Sequence, residues 1–504
     1  MAESTIRITG VTDNFRTPGG YGEILFAQGP ANAAVGPRSA IVVGPKLATG
    51  SATVNVLYAL PDETTAALLT GTGSPSHRLA RKYLSYGGAS ALWGSFYTPT
   101  TGTAASKSVA ITGTPTKKGQ ADAQVCDSIC SYGFSTSDTA SSIADGIESV
   151  INSKTWLPAT AAAYHAGTGT GVTVTSKIHG VTQNVAIRLR TEVTSGAGIT
   201  IGAGADLAGG VGDDSTPLTN CLNTLTNIRR YYMGFPITDA TLGALVKTHI
   251  TNKSLPLPGL RSVGVIGGRG TLAATTTIAN GLNHERIQLV WHEDSDNDPA
   301  ELVGEVLGLR SQVENTDTAA NMAGTPLRLN KQYDTADWPS PEEQSTAINE
   351  GIAPVASTDS GAYLVMSVDT RSKNPAGTVN DFRATETHRV SVADDYFDTV
   401  LLTWALNFQG KKFTDDKKNA KGEVDPNQIP SATVVKPSQL KIMLRTILRQ
   451  FEADEKLQNV DASVQSLRVQ KSIVNAGRAE AAVNLHAIDH HHQFVILGKE
   501  VSSA

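Results

Sequence analysis

The apolar run near the end of the chain constrains its fold most strongly. Within residues 493–498, the consecutive residues Phe494, Val495, Ile496 and Leu497 show no alternation with polar ones. This pattern is typical of a β-strand that is covered on both faces. Such a strand is either central in the chain's own sheet or donated to the sheet of another subunit, and periodicity alone does not separate the two.

An amphipathic helix and a hairpin precede this run. From Lys436 onward, one stripe of the predicted helix is apolar and comprises Leu440, Leu444, Ile447, Leu448 and Phe451. A basic stripe beside it comprises Lys441, Arg445, Arg449 and Lys456. The basic stripe is either a solvated helix face or a contact for an acidic partner. Alternating residues at 467–473 and 481–485 predict a hairpin with one covered face, which favours donation of the terminal run.

Length and charge narrow the class of protein. A chain of 504 residues that is 40% hydrophobic and 18% charged is long enough for about three domains with sizeable cores. A net charge of −5 argues against nucleic acid as an electrostatic partner, because binding phosphates requires clustered positive charge. The cysteines Cys126, Cys130 and Cys221 indicate a reducing compartment and are expected to be buried without disulfides. We expect no signal peptide and no membrane span.

The pattern along the chain divides it into segments. Ile6 and Ile8 alternate with polar residues and predict a short strand or arm, whereas residues 40–43 predict a buried strand. Residues 100–212 are rich in Thr, Ser, Gly and Ala and predict a β-rich unit with one helix at 137–152. Helices and strands alternate between residues 217 and 371, which indicates an α/β unit with a partly parallel sheet.

Three acidic residues reproduce the spacing of a calcium-binding loop. Asp294, Asp296 and Asp298, with Glu305, match the EF-hand pattern, but Pro299 occupies the sixth position, where a positive φ is needed. The better interpretation is a helix with Asp298 as its N-cap and Pro299 as its first residue.

Glycines at 264, 267, 268 and 270 follow a predicted strand. Their spacing differs from the dinucleotide-binding and Walker sequences, so a tight turn is favoured over a phosphate site.

Four histidines near the end of the chain raise the question of a metal site. They are His486, His490, His491 and His492, and Asp489 is the acidic residue near them. Histidine-rich turns need no metal, and the spacing offers no further ligand. We therefore expect no metal, no cofactor and no catalytic residue.

Short motifs near both chain ends resemble contractile phage tail sheath proteins. One motif, with Pro18, Gly19, Tyr21 and Glu23, lies between a short strand and the buried strand at 41–44. The C-terminal order of helix, basic helix, hairpin and apolar strand is similar to the sheath core. Residues 348–352 and 380–383 resemble the Mu-like branch of the family. The resemblance covers most of the chain and is weakest between residues 100 and 212.

The resemblance implies an α+β multidomain fold with a core domain built from both chain ends. The expected domains are 1–100 with the N-terminal arm and first part of the core, 101–212 as an inserted β-rich outer domain, 213–375 as an α/β middle domain, and 376–504 with the tube-facing helix and terminal strand. In such proteins both arms lend strands to neighbours. This would place Ile6, Ile8 and the terminal run in sheets between subunits.

The resemblance also implies a non-enzymatic subunit that polymerises around a tail tube and contracts to drive it through the host envelope for genome delivery. The implied partners are further copies in stacked hexameric rings, the tube protein, and baseplate and tail-terminator proteins, without nucleic-acid contact or membrane insertion. Assembly would occur in the host cytoplasm and the product would lie in the virion tail. Alternatives are the sheath of a phage-derived bacteriocin or secretion-type injection machine and, in another class, a nucleotide-binding α/β enzyme built on residues 264–270.

Overall fold

The computed structural model describes residues 36–492 except 87–89, 166–168, 185, 258, 375–376, 382–384, 420–423, 426–430, 432 and 475–476. The helices of this part are α1 (Glu63–Thr70), α2 (Pro75–Leu84), α3 (Ala140–Ser153), α4 (Ser215–Thr224), α5 (Ala240–Ser254), α6 (Leu272–Leu282), α7 (Pro299–Thr316), α8 (Pro341–Asn349), α9 (Thr387–Asn407), α10 (Pro437–Ala453) and α11 (Val460–Ser466).

The strands are β1 (Ala40–Pro45), β2 (Leu57–Ala59), β3 (Leu92–Tyr97), β4 (Ala104–Gly113), β5 (Gly119–Val125), β6 (Ser128–Phe134), β7 (Ala159–Tyr164), β8 (Gly171–His179), β9 (Leu189–Val193), β10 (Ile199–Ile201), β11 (Tyr232–Gly234), β12 (Val263–Gly268), β13 (Ile287–Trp291), β14 (Thr325–Leu327), β15 (Ala353–Thr358), β16 (Gly361–Leu364), β17 (Lys412–Phe413), β18 (Val434–Val435), β19 (Arg468–Lys471) and β20 (Ala479–Ala482). The fold is therefore α+β with several sheets, as the sequence predicts.

The described residues divide into two units. The larger unit comprises Gly36–Asp395, Asp454–Gln458 and the described residues from His486 onward. The smaller unit comprises Tyr396–Ala453 and Asn459–Leu485. No helix in the described ranges is both long and apolar enough to cross a lipid bilayer.

A nine-stranded sheet forms the centre of the larger unit, in the order β14-β16-β15-β13-β12-β11-β1-β3-β2. The six strands from β15 to β3 run parallel, and the outer strands are antiparallel. Strands β1–β3 and β11–β16 lie in this one sheet, although the domains expected from the sequence place them in 1–100 and 213–375. Pairing between parallel strands that are far apart in the chain leaves no local signal in the sequence.

Both faces of this sheet are covered, which explains why its central strands are apolar without alternation. In β1, Ala40 and Val42 lie in the core that contains α2 and α7, whereas Ile41 and Val43 lie in the core that contains α4, α5 and α6. The buried strand predicted at 40–43 is confirmed.

Residues between β3 and α4 form a β-rich part of the larger unit with its own core. This part contains the sheets β10-β4-β8-β7 and β6-β5-β9, with α3 packed on them. The predicted helix at 137–152 corresponds to α3, whose face of Ile143, Ile147 and Ile151 is buried.

The C-terminal half of α9, with α10, α11 and two short two-stranded sheets, makes up the smaller unit. Helix α9 begins at Thr387. Its first two turns contain the buried polar residues His388, Ser391 and Asp394, so they show no apolar periodicity in the sequence. Helix α11 was not predicted, since its seven residues include only two large apolar side chains.

Candidate assembly surface of the smaller unit

Helix α10 is amphipathic, as its sequence predicts. The predicted apolar stripe is buried, and Met443 is buried with it. Phe451 meets the ring of Tyr396 edge to face, with ring centroids 5.6 Å apart. This packing holds the opposite face of α10 outward.

The outward face of α10 carries Lys441, Arg445 and Arg449. Lys441 and Arg445 are exposed, and no ion pair with another described residue holds either of them. Arg449 donates to Glu452 at 2.7 Å and also pairs with Asp461, whose carboxylate lies in the first turn of α11. Two cations of the predicted stripe therefore remain available, and the third is balanced within the unit.

Lys456 does not belong to this face, and the sequence prediction is wrong for this residue. Helix α10 ends at Ala453, and Glu455 takes a left-handed conformation with φ of 57°. Lys456 lies in the larger unit, where its Nζ donates to Asp395 Oδ2 at 2.8 Å. A residue in the left-handed conformation ends the helix, so the helical spacing that assigned Lys456 to the basic stripe does not apply beyond Glu455.

An exposed apolar stripe on α9 was not predicted. Phe397, Leu401 and Trp404 are spaced at i, i+4 and i+7, and their exposed fractions are 45%, 53% and 41%. Residues at this spacing share one helix face. A contiguous exposed apolar face of this kind marks an interaction surface. The spacing of these residues is visible in the sequence. Buried stripes have the same spacing, however, so only the structure shows that this stripe is exposed.

The hairpin β19–β20 is confirmed, with Arg468 opposite Ala482 and Lys471 opposite Ala479. No residue of either strand is buried. Ile473, expected to continue the first strand, lies beyond β19 and is 98% exposed. Among the described residues the hairpin has no third strand, so each outer edge presents unpaired backbone groups.

A groove of about 360 Å³ lies beside this hairpin. Its apolar wall is formed by Trp404, Phe408, Phe413, Val435 and Leu440. The hairpin residues 477–479 line it as well. An open sheet edge next to an apolar groove is the arrangement that accepts an added strand, because main-chain bonds and side-chain burial are offered together.

The other residues predicted to act in assembly lie outside the described residues. They are Ile6, Ile8, Pro18, Gly19, Tyr21, Glu23, Phe494, Val495, Ile496 and Leu497.

The acidic residues with calcium-like spacing have separate structural partners. Asp298 caps α7 and accepts from the Glu301 amide at 2.7 Å, as predicted. Asp296 accepts from Arg190 Nε at 2.8 Å, and Glu305 accepts from the Tyr86 hydroxyl at 2.6 Å. These three carboxylates therefore serve helix capping, ion pairing and hydrogen bonding.

The glycine-rich turn after β12 is packed by the protein itself. A Cβ at Gly267 would lie 2.9 Å from the Pro299 carbonyl oxygen, so glycine permits α7 to approach the sheet. The buried Arg269 donates from Nε to the Ser295 carbonyl at 2.6 Å, and Trp291 Nε1 donates to the Gly270 carbonyl at 2.8 Å. These contacts support the predicted turn.

The cysteines are buried and free, as expected. Burial raises the pKa of the Cys126 thiol, and it raises that of Cys221 to about 11. A thiol that stays protonated is a poor nucleophile. Cys126 and Cys221 therefore act as small core residues.

Solved structures of tail sheath proteins resemble this chain. The sheath tail protein of Desulfitobacterium hafniense is 13% identical, with 93% of this chain and 100% of that chain covered and a TM-score of 0.47. The sheath tail protein of Listeria innocua is 11% identical, with 91% and 94% covered and a TM-score of 0.48. A chain of the anti-feeding prophage baseplate in its contracted state is 12% identical, with 98% and 99% covered and a TM-score of 0.46.

No protein-family model and no curated protein sequence matches this chain.

Proposed function

We propose that this protein is a structural subunit of a contractile tail sheath, which polymerises around a tail tube and contracts to drive the tube through a cell envelope. The observation that carries the proposal is the open hairpin β19–β20 beside an apolar groove, in a chain whose last apolar run requires cover on both faces. If the run is donated to the hairpin of a neighbouring copy, it pairs with the open edge of that hairpin, and the groove covers its apolar side chains.

The energetics favour a lattice over a dimer. Burying the four apolar side chains of the run contributes about 6–12 kcal/mol at about 1.5–3 kcal/mol each. Association costs about 4–15 kcal/mol, so one donated strand is marginal. When each copy both donates and accepts, later contacts become effectively intramolecular and the array is stable. Two-stranded ribbons are themselves marginal in water, so the hairpin also gains from the added strand.

The two exposed helix faces suit two kinds of partner. The apolar stripe Phe397, Leu401 and Trp404 suits a second copy of the chain, because its burial excludes water. The basic pair Lys441 and Arg445 suits an acidic tube surface. Stacked hexameric rings, baseplate and tail-terminator contacts, and a place in a virion tail complete the proposal.

Deleting residues 493–504 is expected to abolish cylinder formation while the chain stays folded. The deletion removes the donated strand and leaves every described contact in place. Negative-stain images of the purified full chain should show long hollow striated cylinders, and images of the deletion variant should show single particles or small rings. Far-ultraviolet circular dichroism should be nearly the same for both.

A matched control removes only residues 501–504 and should keep the cylinders. Aggregation and unfolding of the longer deletion would show that the run is a central strand of its own subunit. Cylinders formed by the longer deletion variant would refute donation, and their absence from the full chain would count against the sheath function.

Reversing charge on α10 is expected to block assembly on the tube without blocking assembly of the sheath alone. The variant Lys441→Glu/Arg445→Glu places two anions where an acidic tube would lie, and like charges repel. Co-sedimentation with tube at moderate salt should fall at least tenfold. Lys117→Glu/Lys118→Glu, which changes two exposed lysines in the β-rich part of the larger unit, serves as the control. Equal co-sedimentation of both variants would eliminate this role for the helix.

A further inference from the structure

Three histidines of the larger unit converge on one carboxylate. Glu386 immediately precedes α9, His388 lies in its first turn, and His490 and His492 lie in the C-terminal segment. The side chains of Glu386, His388 and His490 are 17%, 2% and 11% exposed, and that of His492 is 25% exposed. The cluster is therefore largely enclosed and opens toward solvent at His492.

The nitrogens meet at a single oxygen. Glu386 Oε2 lies 3.3 Å from His388 Nδ1, 3.2 Å from His490 Nδ1 and 3.3 Å from His492 Nε2. In addition, one ligand atom each from Glu386, His388 and His490 lies within 4.8 Å of the other two. A cavity of about 10 Å³ is lined by all four residues, which is the space that one small ion or water fills.

Backbone carbonyls set the tautomers of two of these rings. His388 Nε2 lies 2.9 Å from the Ile488 oxygen, and His490 Nε2 lies 2.7 Å from the Ala319 oxygen. A carbonyl oxygen only accepts, so each Nε2 carries the proton and each Nδ1 of the neutral ring presents a lone pair to Glu386. Metal-bound histidines typically make this outer hydrogen bond.

Lone pairs that face a carboxylate need a positive charge between them. Two imidazolium rings would supply it, but the rings of His388 and His490 have centroids only 3.9 Å apart, and their charges would repel. One divalent cation serves the His388 and His490 nitrogens at once. In a tetrahedral site with bonds of about 2.0–2.1 Å, neighbouring ligand atoms lie about 3.3 Å apart, which matches the separations of these two nitrogens from Glu386.

We propose that Glu386, His388 and His490 bind Zn²⁺. Imidazole and carboxylate ligands suit zinc, and His492, whose Nε2 lies 3.3 Å from the same Glu386 oxygen, borders the site. Asp489, the acidic residue that the sequence suggested, is engaged elsewhere, since it accepts from Arg389 at 2.5 Å and from Gln458 at 2.8 Å. The ligands Glu386 and His388 lie about a hundred residues before the histidine-rich segment, so spacing did not reveal them. The proposal revises the sequence-based expectation of no metal.

The metal would fix the base of the terminal run. Gln493 follows His492 directly, so zinc would clip the segment before the apolar run to the start of α9. This consequence depends on the proposed sheath function, whereas zinc binding itself does not.

The test is titration of the chelator-treated full chain with Zn²⁺ and with Co²⁺. The wild type should bind one Zn²⁺ per chain by calorimetry, and Co²⁺ should give the visible absorption of a tetrahedral site. Glu386→Gln and His388→Gln should each weaken binding more than about 100-fold, because each removes a ligand. His491→Gln, which changes a histidine next to the ligand His490, should bind as the wild type does.

Equal binding by wild type, Glu386→Gln and His388→Gln would show that the exposed histidines alone bind metal and would overturn the site. The absence of a stoichiometric Zn²⁺ site in the wild type would overturn it as well. Zinc should also raise the thermal midpoint of the wild type but not that of His388→Gln. Images of cylinders formed with and without zinc then test the assembly role separately. If the protein binds zinc but forms no cylinders, the metal site is supported and the sheath function is not.

Discussion

Replacing Arg78 with Met is expected to lower the free energy of unfolding of the larger unit by about 3–5 kcal/mol, the usual effect of removing one partner from a buried ion pair. Arg78 is fully buried in α2. Its Nε lies 2.5 Å from Asp298 Oδ2, and its guanidinium reaches Glu301 Oε2 at 3.1 Å. The variant leaves both carboxylates at the start of α7 without their main counter-charge.

The pKa of Glu301 shows how strongly the pair is coupled. Burial alone would raise it, but the charges of Arg78, Lys82 and Arg81 and the hydrogen bond from Asn297 together outweigh burial, and the pKa is lowered to about 2. Arg78 also reaches Asp127 at 3.6 Å, so the same side chain joins the β-rich part of the unit to α2 and α7. The loss should therefore appear in unfolding by urea as a lower midpoint.

Two further variants identify the cause. Arg78→Met/Asp298→Asn keeps the helix cap and removes the carboxylate left unpaired, while Glu301 keeps its ion pair with Arg81 at 2.5 Å, so this variant should recover more than half of the lost stability. Arg445→Met, on an exposed helix face, should change stability by less than about 0.5 kcal/mol. A loss below about 1 kcal/mol for Arg78→Met would contradict the prediction.

Replacing His284 with Asn is expected to make the protein less sensitive to acid, because the protein should then take up about one proton fewer when it unfolds at low pH. His284 Nδ1 accepts from the Arg286 amide at 3.1 Å, and Nε2 is 2.9 Å from Thr251 Oγ1. These bonds fit the neutral ring. Burial lowers the pKa of His284 from 6.5 to about 4, so the unfolded chain binds more protons between these pH values and stability falls as pH falls through that window.

As the pH falls from 6.5, the free energy of unfolding of the wild type should decline relative to that of His284→Asn by about 1.4 kcal/mol per pH unit, and this relative decline reaches about 3 kcal/mol near pH 4. The asparagine oxygen takes the place of Nδ1 in accepting the amide two residues on, without titrating. Urea unfolding at several pH values measures the slope for each protein. Asp369, whose pKa burial raises to about 8, gives a slope of opposite sign, so the comparison is between variant and wild type.

The exposed His179 provides the control for this measurement. His179→Asn should keep the slope of the wild type. Identical slopes for His284→Asn and the wild type would mean that His284 titrates alike in the folded and unfolded states.

Elements encoded by neighbouring residues were predictable. The start of α7 follows from Asp298, Pro299 and Glu301, and the start of α8 follows from the capping box of Ser340 and Glu343, whose reciprocal bonds are present. The apolar stripe of α10 follows from spacing alone. In each case the partners lie within one or two turns, so local propensity and local hydrogen bonds agree.

Features that depend on distant partners required the tertiary structure. The order of the parallel strands, the start of α9 at its buried polar residues, the place of Lys456 beside Asp395, and the meeting of Glu386 and His388 with His490 all join segments far apart in the chain. A buried polar side chain is satisfied by whatever the fold places beside it, and such a partner leaves no periodic signal around either residue. The sequence by itself therefore determined the amphipathic helix, the hairpin and the need to cover the terminal run, whereas the fold decided which charges stay free and which histidines converge.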